Sequence, residues 1–138
     1  MAIIAIDFDG TIVTHEYPEV GKPLPLANEV INALWVNGNE LFLYTMRDSK
    51  ELKDAERYCF ENNLPIFLFN ESPAQFSTSP KQYAQVYIDD AALGCPLRFD
   101  PKFSNRPYVN WVEVAKHLAA KNLITYDQLN DLLKIRMK

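Results

Sequence analysis

The chain has 138 residues, 48% of them apolar, which suits one domain with a real core. Eighteen acidic residues against 14 lysines and arginines give a net charge of −4 and a pI near 5.1, a balance that argues against a dedicated nucleic-acid binder. Cys59 and Cys95 form neither a zinc-ligand spacing nor a disulfide framework, the N-terminus lacks a signal peptide's basic segment and cleavage site, and no apolar run is long enough to span a membrane, so a cytoplasmic protein with two reduced thiols is expected.

The first predicted element is a buried strand, the apolar run Ala2 to Ile6 with its β-branched isoleucines. It ends in Asp7-Phe8-Asp9-Gly10-Thr11, where Gly10 allows a sharp turn. Two carboxylates gathered at a strand's end repel each other unless something positive lies between them, and a hard divalent cation such as Mg²⁺ meets that need. Ile12 to Pro25 holds three prolines and Gly21 and reads as loop. It starts beside the acids, so His15, Glu16 and Tyr17 overhang them; a solvated histidine is the favoured reading of His15.

A helix is predicted from Leu26 to Asn37, its apolar face made by Leu26, Val30, Ile31, Leu34 and Trp35, with Asn37-Gly38-Asn39 as its stop. Leu41 to Tyr44 reads as the second strand, followed by Thr45-Met46-Arg47 and a helix over Lys50 to Asn62. Ile66 to Phe69 reads as the third strand and Asn70 to Pro80 as a polar loop. Val86 to Ile88 reads as the fourth strand, ending in Asp89-Asp90, and Leu97 to Phe99 as a fifth, at an edge. The remainder reads as helix: Val109 to Lys121, then a last helix opened by a capping box at Thr125 and Gln128 and closing with Lys134, Arg136 and Lys138. Alternating strands and helices predict an α/β fold, a parallel sheet with helices on both faces and right-handed crossovers. Sites in such sheets lie at the carboxyl ends of strands, where Asp7, Asp9, Thr45, Asp89 and Asp90 all fall.

Asp7-Phe8-Asp9-Gly10-Thr11-Ile12 resembles the first signature motif of the haloacid dehalogenase-like phosphohydrolase superfamily. Leu41 to Thr45 resembles the second, an apolar strand ending in Thr or Ser. Lys81 in Ser79-Pro80-Lys81 matches the third, and Val86-Tyr87-Ile88-Asp89-Asp90 the fourth. The motifs occur in order over residues 3 to 90, about two thirds of the chain. The resemblance implies a three-layer Rossmann-like sheet in the order 3-2-1-4-5, filling one domain over residues 1–138, with residues 108–138 a helical extension packed on it.

It also implies a mechanism. Asp7 is the nucleophile, attacking phosphorus to give an aspartyl-phosphate. Asp9 offers its backbone carbonyl to Mg²⁺, and its side chain is the general acid and then the base that activates water. The Thr45 hydroxyl and the Met46 amide hold phosphate oxygens, and Lys81 adds positive charge to the phosphoryl group and to Asp7. Asp89 ligates Mg²⁺ directly, and Asp90 binds it through water or orients the other ligands, so that Asp7, Asp9, Asp89 and Asp90 form the metal site. Arg47 is read either as a substrate contact or as the partner of Glu51 in a helix salt bridge.

Only about 35 residues separate Asp9 from Thr45, and a similar stretch leads on to Lys81, which leaves no room for the cap domain many relatives insert. A capless, open site is therefore expected, reachable by a phosphorylated small molecule or an accessible macromolecule, in a monomer or an oligomer. Other readings are a non-catalytic phosphate- or partner-binding module on the same fold, a nucleotidase, and a polynucleotide 3′-phosphatase. A receiver-type signalling domain is disfavoured because its phosphorylated Asp ends the third strand, where this chain has Phe69-Asn70.

Overall fold

The structure is a computed structural model and describes residues 1–136, apart from the side chain of Arg136. Three parallel strands form its sheet: β1 (Ile3–Ile6) lies between β2 (Glu40–Leu43) and β3 (Val86–Ile88), with Ala5 level with Phe42 on one side and Tyr87 on the other. Four helices accompany it: α1 (Ala27–Val36), α2 (Ser49–Glu61), α3 (Trp111–Ala120) and α4 (Tyr126–Arg136). A separate antiparallel pair, β4 (Leu97–Arg98) and β5 (Tyr108–Val109), stands before α3.

Strand alternation divides the core. Ile4, Ile6, Leu41 and Leu43 face a large apolar cluster that takes Val30, Ile31 and Leu34 from α1, Ala55 and Cys59 from α2, Trp111 and Ala115 from α3, and Leu129 and Leu132 from α4. Each large aliphatic side chain fully buried there contributes about 1.5–3 kcal/mol. Ile3, Ala5 and Phe42 face the other way, into a small cluster closed by Tyr44, Leu68 and Ala84. The expected three-layer arrangement is thus corrected to helices against one face of the sheet. The segment after Phe69, where a second-face helix would lie, holds Pro73 and Pro80 and a run of Ser and Thr, and it stays irregular to Gln85.

Two expected strands also differ. Ile66 to Phe69 is not a regular strand; it touches the sheet through one parallel bridge, Phe69 to Leu43, beyond β2. Pro65 has no N–H to give, and Phe67 points to solvent. Leu97 to Phe99 does not extend the parallel sheet. Leu97 and Arg98 pair with β5 instead, so the order 3-2-1-4-5 is not formed, and Val109, expected in a helix, is strand. The helix starts at Trp111 because the Asn110 side chain accepts the Glu113 N–H at 3.3 Å.

The C-terminal elements are tied to the rest by polar bonds as well as packing. Buried Asn39 accepts the Ala2 N–H at 3.0 Å and donates to the carbonyls of Leu34 and Leu123 at 2.9 and 2.8 Å. The capping box forms reciprocally: Thr125 N–H donates to Gln128 Oε1 at 2.8 Å, and Gln128 N–H to Thr125 Oγ1 at 3.0 Å. Lys138 of the expected basic ending lies outside the described residues. Among the described residues no helix is long and apolar enough to cross a membrane, and Cys59 and Cys95 are both free.

Candidate active site

The turn after β1 is built around one carbonyl. Phe8 O accepts the N–H groups of Thr11 and Ile12 at 3.1 and 2.8 Å, folding the chain back on itself. Phe8 is fully buried with its ring edge-on to Tyr58, which leaves Asp7 and Asp9 at the carboxyl edge of the sheet on either side of it. Gly10 has φ +80°, and a Cβ there would collide with the Asp90 carboxylate, so both conformation and space require glycine.

From the other side, β3 brings Asp89 and Asp90. The carboxylates of Asp7, Asp89 and Asp90 place oxygens within 4.8 Å of one another. Thr11, fully buried, joins the two strand ends: its hydroxyl donates to Asp7 Oδ2 at 2.9 Å and accepts the Asp90 N–H at 3.1 Å. Burial, reinforced by the charges of Asp89 and Asp90, pushes the Asp7 carboxyl up to about 8. Burial also raises Asp89, against the Ala91 N–H that donates to it at 2.8 Å. A crowded, all-oxygen donor set whose members resist ionising together suits a hard divalent cation, so these three residues fit Mg²⁺.

Asp9 stands apart from that cluster. Arg47 clamps it through two bonds, Nε to Oδ2 at 2.7 Å and Nη2 to Oδ1 at 2.8 Å. Arg47 is 2% exposed, and its other donors reach the carbonyls of Pro18, Glu19 and Glu51. The bonds that Arg47 donates to Asp9 raise the Arg47 pKa. Both expectations for Arg47 are therefore corrected. Its donors are engaged inside the protein rather than facing substrate, and Glu51 contributes a backbone carbonyl rather than its carboxylate.

Thr45 stands at the end of β2, its N–H held by Asn70 Oδ1 at 2.8 Å and its hydroxyl accepting the Arg47 N–H at 3.1 Å. Asn70, in the left-handed region at φ 57°, also donates to Arg47 O at 3.2 Å and so fixes the loop that carries Thr45 and Met46. In the sequence Asn70 stands out only as the non-acidic residue after an apolar run, a signal that carries no hint of its hold on the Thr45 loop.

Asp7, Asp9, Thr45, Met46, Arg47, Asp89 and Asp90 all line one cavity of about 510 Å³, with His15, Tyr17, Ala91 and Arg106 completing its wall. Met46 is 98% exposed at the rim. Lys81 is not in the lining. It lies exposed with Nζ 5.4 Å from the Tyr87 ring, because the irregular segment that carries it follows the second face of the sheet rather than returning to the strand ends. Arg106 was not singled out in the sequence, since the C-terminal third carries no motif.

No family model matches this chain, and no curated protein does. Its fold is similar to that of a solved structure described as a conserved protein coded by a locus from Bacteroides thetaiotaomicron, with 28% identity, a TM-score of 0.70, and coverage of 93% of this chain and 96% of that one.

Proposed function

We propose that this chain is a Mg²⁺-dependent phosphatase of the haloacid dehalogenase type, without a cap, hydrolysing a phosphomonoester through an aspartyl-phosphate. The observation that carries the reading is the meeting of Asp7 with Asp89 and Asp90, 83 residues apart at the extremes along the chain, in a cavity that Asp9 and Thr45 share. The order β2-β1-β3, with Phe69 bridged to Leu43 beyond β2, is compatible with a shortened form of that superfamily's sheet. The absence of a folded insertion on either side of Thr45 suits an open site.

Asp7, Asp89 and Asp90 would hold the cation, which supplies charge neutralisation between the carboxylate nucleophile and the anionic phosphoryl group. Asp7 uses one oxygen as nucleophile, and the Thr11 hydroxyl bonded to Oδ2 at 2.9 Å orients its carboxylate. The Thr45 hydroxyl, already an acceptor from the Arg47 N–H, directs its own proton towards the cavity and a phosphate oxygen. Asp9 accepts one Arg47 bond on each oxygen, so the proton it would deliver to the leaving oxygen uses one of its remaining lone pairs.

The same clamp favours a second reading, a phosphate- or partner-binding module that does not turn over. Hydrolysis of an aryl phosphate in Mg²⁺ separates the two. Turnover that vanishes in Asp7→Asn, with the fold intact by circular dichroism, supports the phosphatase; wild-type protein without turnover rejects it.

A further inference from the structure

Two guanidinium groups line the cavity, and they differ in what they have left to offer. Arg47 has five N–H donors, and five bonds engage it: two to Asp9 and one each to Pro18, Glu19 and Glu51. It contributes charge but no free donor. Arg106 is exposed at the cavity wall, and among the described residues its side chain forms neither a salt bridge nor a hydrogen bond.

The loop that presents Arg106 is well anchored. Its N–H donates to the Oγ of buried Ser104 at 3.3 Å, and the Ser104 N–H donates to Asp100 O at 3.0 Å. Lys22 Nζ donates to Phe103 O at 2.6 Å, and the Phe103 ring stacks edge-on with Tyr108. Beyond Pro107, the Val109 N–H donates to Gly10 O at 3.0 Å, and Trp111 Nε1 to Thr11 O at 2.6 Å. The loop that carries Arg106 is thus tied to the turn that carries Asp7 and Asp9.

Charge also points to a need for it. Arg47 cancels Asp9, which leaves Asp7, Asp89 and Asp90. One divalent cation offsets two of those three carboxylates and Arg106 the third, so an incoming phosphate dianion meets no net negative wall.

We infer that Arg106 is a substrate contact that binds phosphoryl oxygens beside Thr45 and adds positive charge to the phosphoryl group, the charge that the sequence resemblance assigns to Lys81. Its planar fork matches two phosphate oxygens at once, which a lysine ammonium does not. The inference rests on the phosphatase reading for the identity of the anion.

The test uses full-length protein in saturating Mg²⁺, with inorganic phosphate titrated by calorimetry and an aryl phosphate followed kinetically. Arg106→Ala is expected to weaken phosphate binding and raise KM by about ten- to a hundredfold, the scale of a lost hydrogen-bonded charge contact. Arg106→Lys recovers part of this, Lys102→Ala in the same loop stays within about twofold, and the Mg²⁺-induced thermal shift is the same in all three. Phosphate binding and KM unchanged in Arg106→Ala, or lost in Lys81→Ala instead, overturns the inference while leaving the phosphatase reading intact. Wild-type protein that binds phosphate through Arg106 but hydrolyses no ester keeps the inference and rejects the phosphatase. Wild-type protein that neither binds phosphate nor hydrolyses the ester rejects both.

Discussion

Asp7 and Asp9 are two residues apart in one turn, yet they occupy opposite electrostatic surroundings. Asp7 faces two more carboxylates and is pushed up to about 8, whereas Asp9 already has a buried guanidinium on both its oxygens. Buried Phe8 between them divides the turn into two halves, one short of positive charge and one supplied with it. A motif of two acids therefore does not define two equivalent groups: what approaches each from elsewhere in the fold assigns its role.

The largest effect expected is chemical. Replacing Asp7 by Asn should cut aryl phosphate turnover by at least about a thousandfold, the scale on which removing a nucleophile acts. It should leave the melting temperature equal or higher, because one of three crowded carboxylates is gone. A lower melting temperature would mean that the cluster stabilises the fold and that the two halves are less different than they look.

Arg47→Ala tests the other half. It leaves Asp9, whose side chain is 13% exposed, without its partner, and strands three carbonyls, so a loss of about 3–5 kcal/mol is expected in chemical denaturation. Pairing it with Asp9→Asn should restore part of that loss. An additive double mutant would show that the clamp is weaker than its geometry.

Acidity sharpens the contrast. A carboxyl raised from 3.8 to about 8 keeps its proton in the folded protein at pH values where the unfolded chain has lost it. Metal-free stability should accordingly fall as pH rises from about 4 to 8, by at most about 1.4 kcal/mol per pH unit for one proton. A cation held by these acids would compete with that proton, so the thermal stabilisation by Mg²⁺ should be larger at pH 8 than at pH 5, and equal shifts at the two values would count against these acids as the cation's ligands.

Gly10→Ala forces a side chain into a left-handed residue against Asp90, with an expected cost of about 1–2 kcal/mol and weaker Mg²⁺ binding by titration. Smallest of all, Thr125→Ala removes a helix cap far from both halves. It should cost about 1 kcal/mol of stability and leave phosphate turnover unchanged.

Much of this arrangement was legible in the residues. Ile3 to Ile6 and Val86 to Ile88 are short continuous apolar runs, and α1 and α3 carry helical apolar spacing, patterns that mark buried elements even though Trp35 of α1 ends up exposed. The acids were legible because each sits directly after a strand in a fold whose strands end on one edge. Lys81 falls outside the cavity lining for the converse reason. Its position rests on an irregular segment, where order along the chain says little about direction in space.

By itself the amino-acid order determined that three strand ends would bring Asp7, Thr45 and Asp89 to one edge, since local periodicity and parallel pairing suffice for that. Only the tertiary structure decided which cations meet which acids. Arg47 turns inward to Asp9, 38 residues away, whereas Arg106, unpaired among the described residues, is left at the cavity wall by a loop that the Val109 N–H ties to Gly10 O, about a hundred residues back. Such pairings depend on how whole elements pack, because an electrostatic partner is selected by distance in space and leaves no periodic trace in the chain.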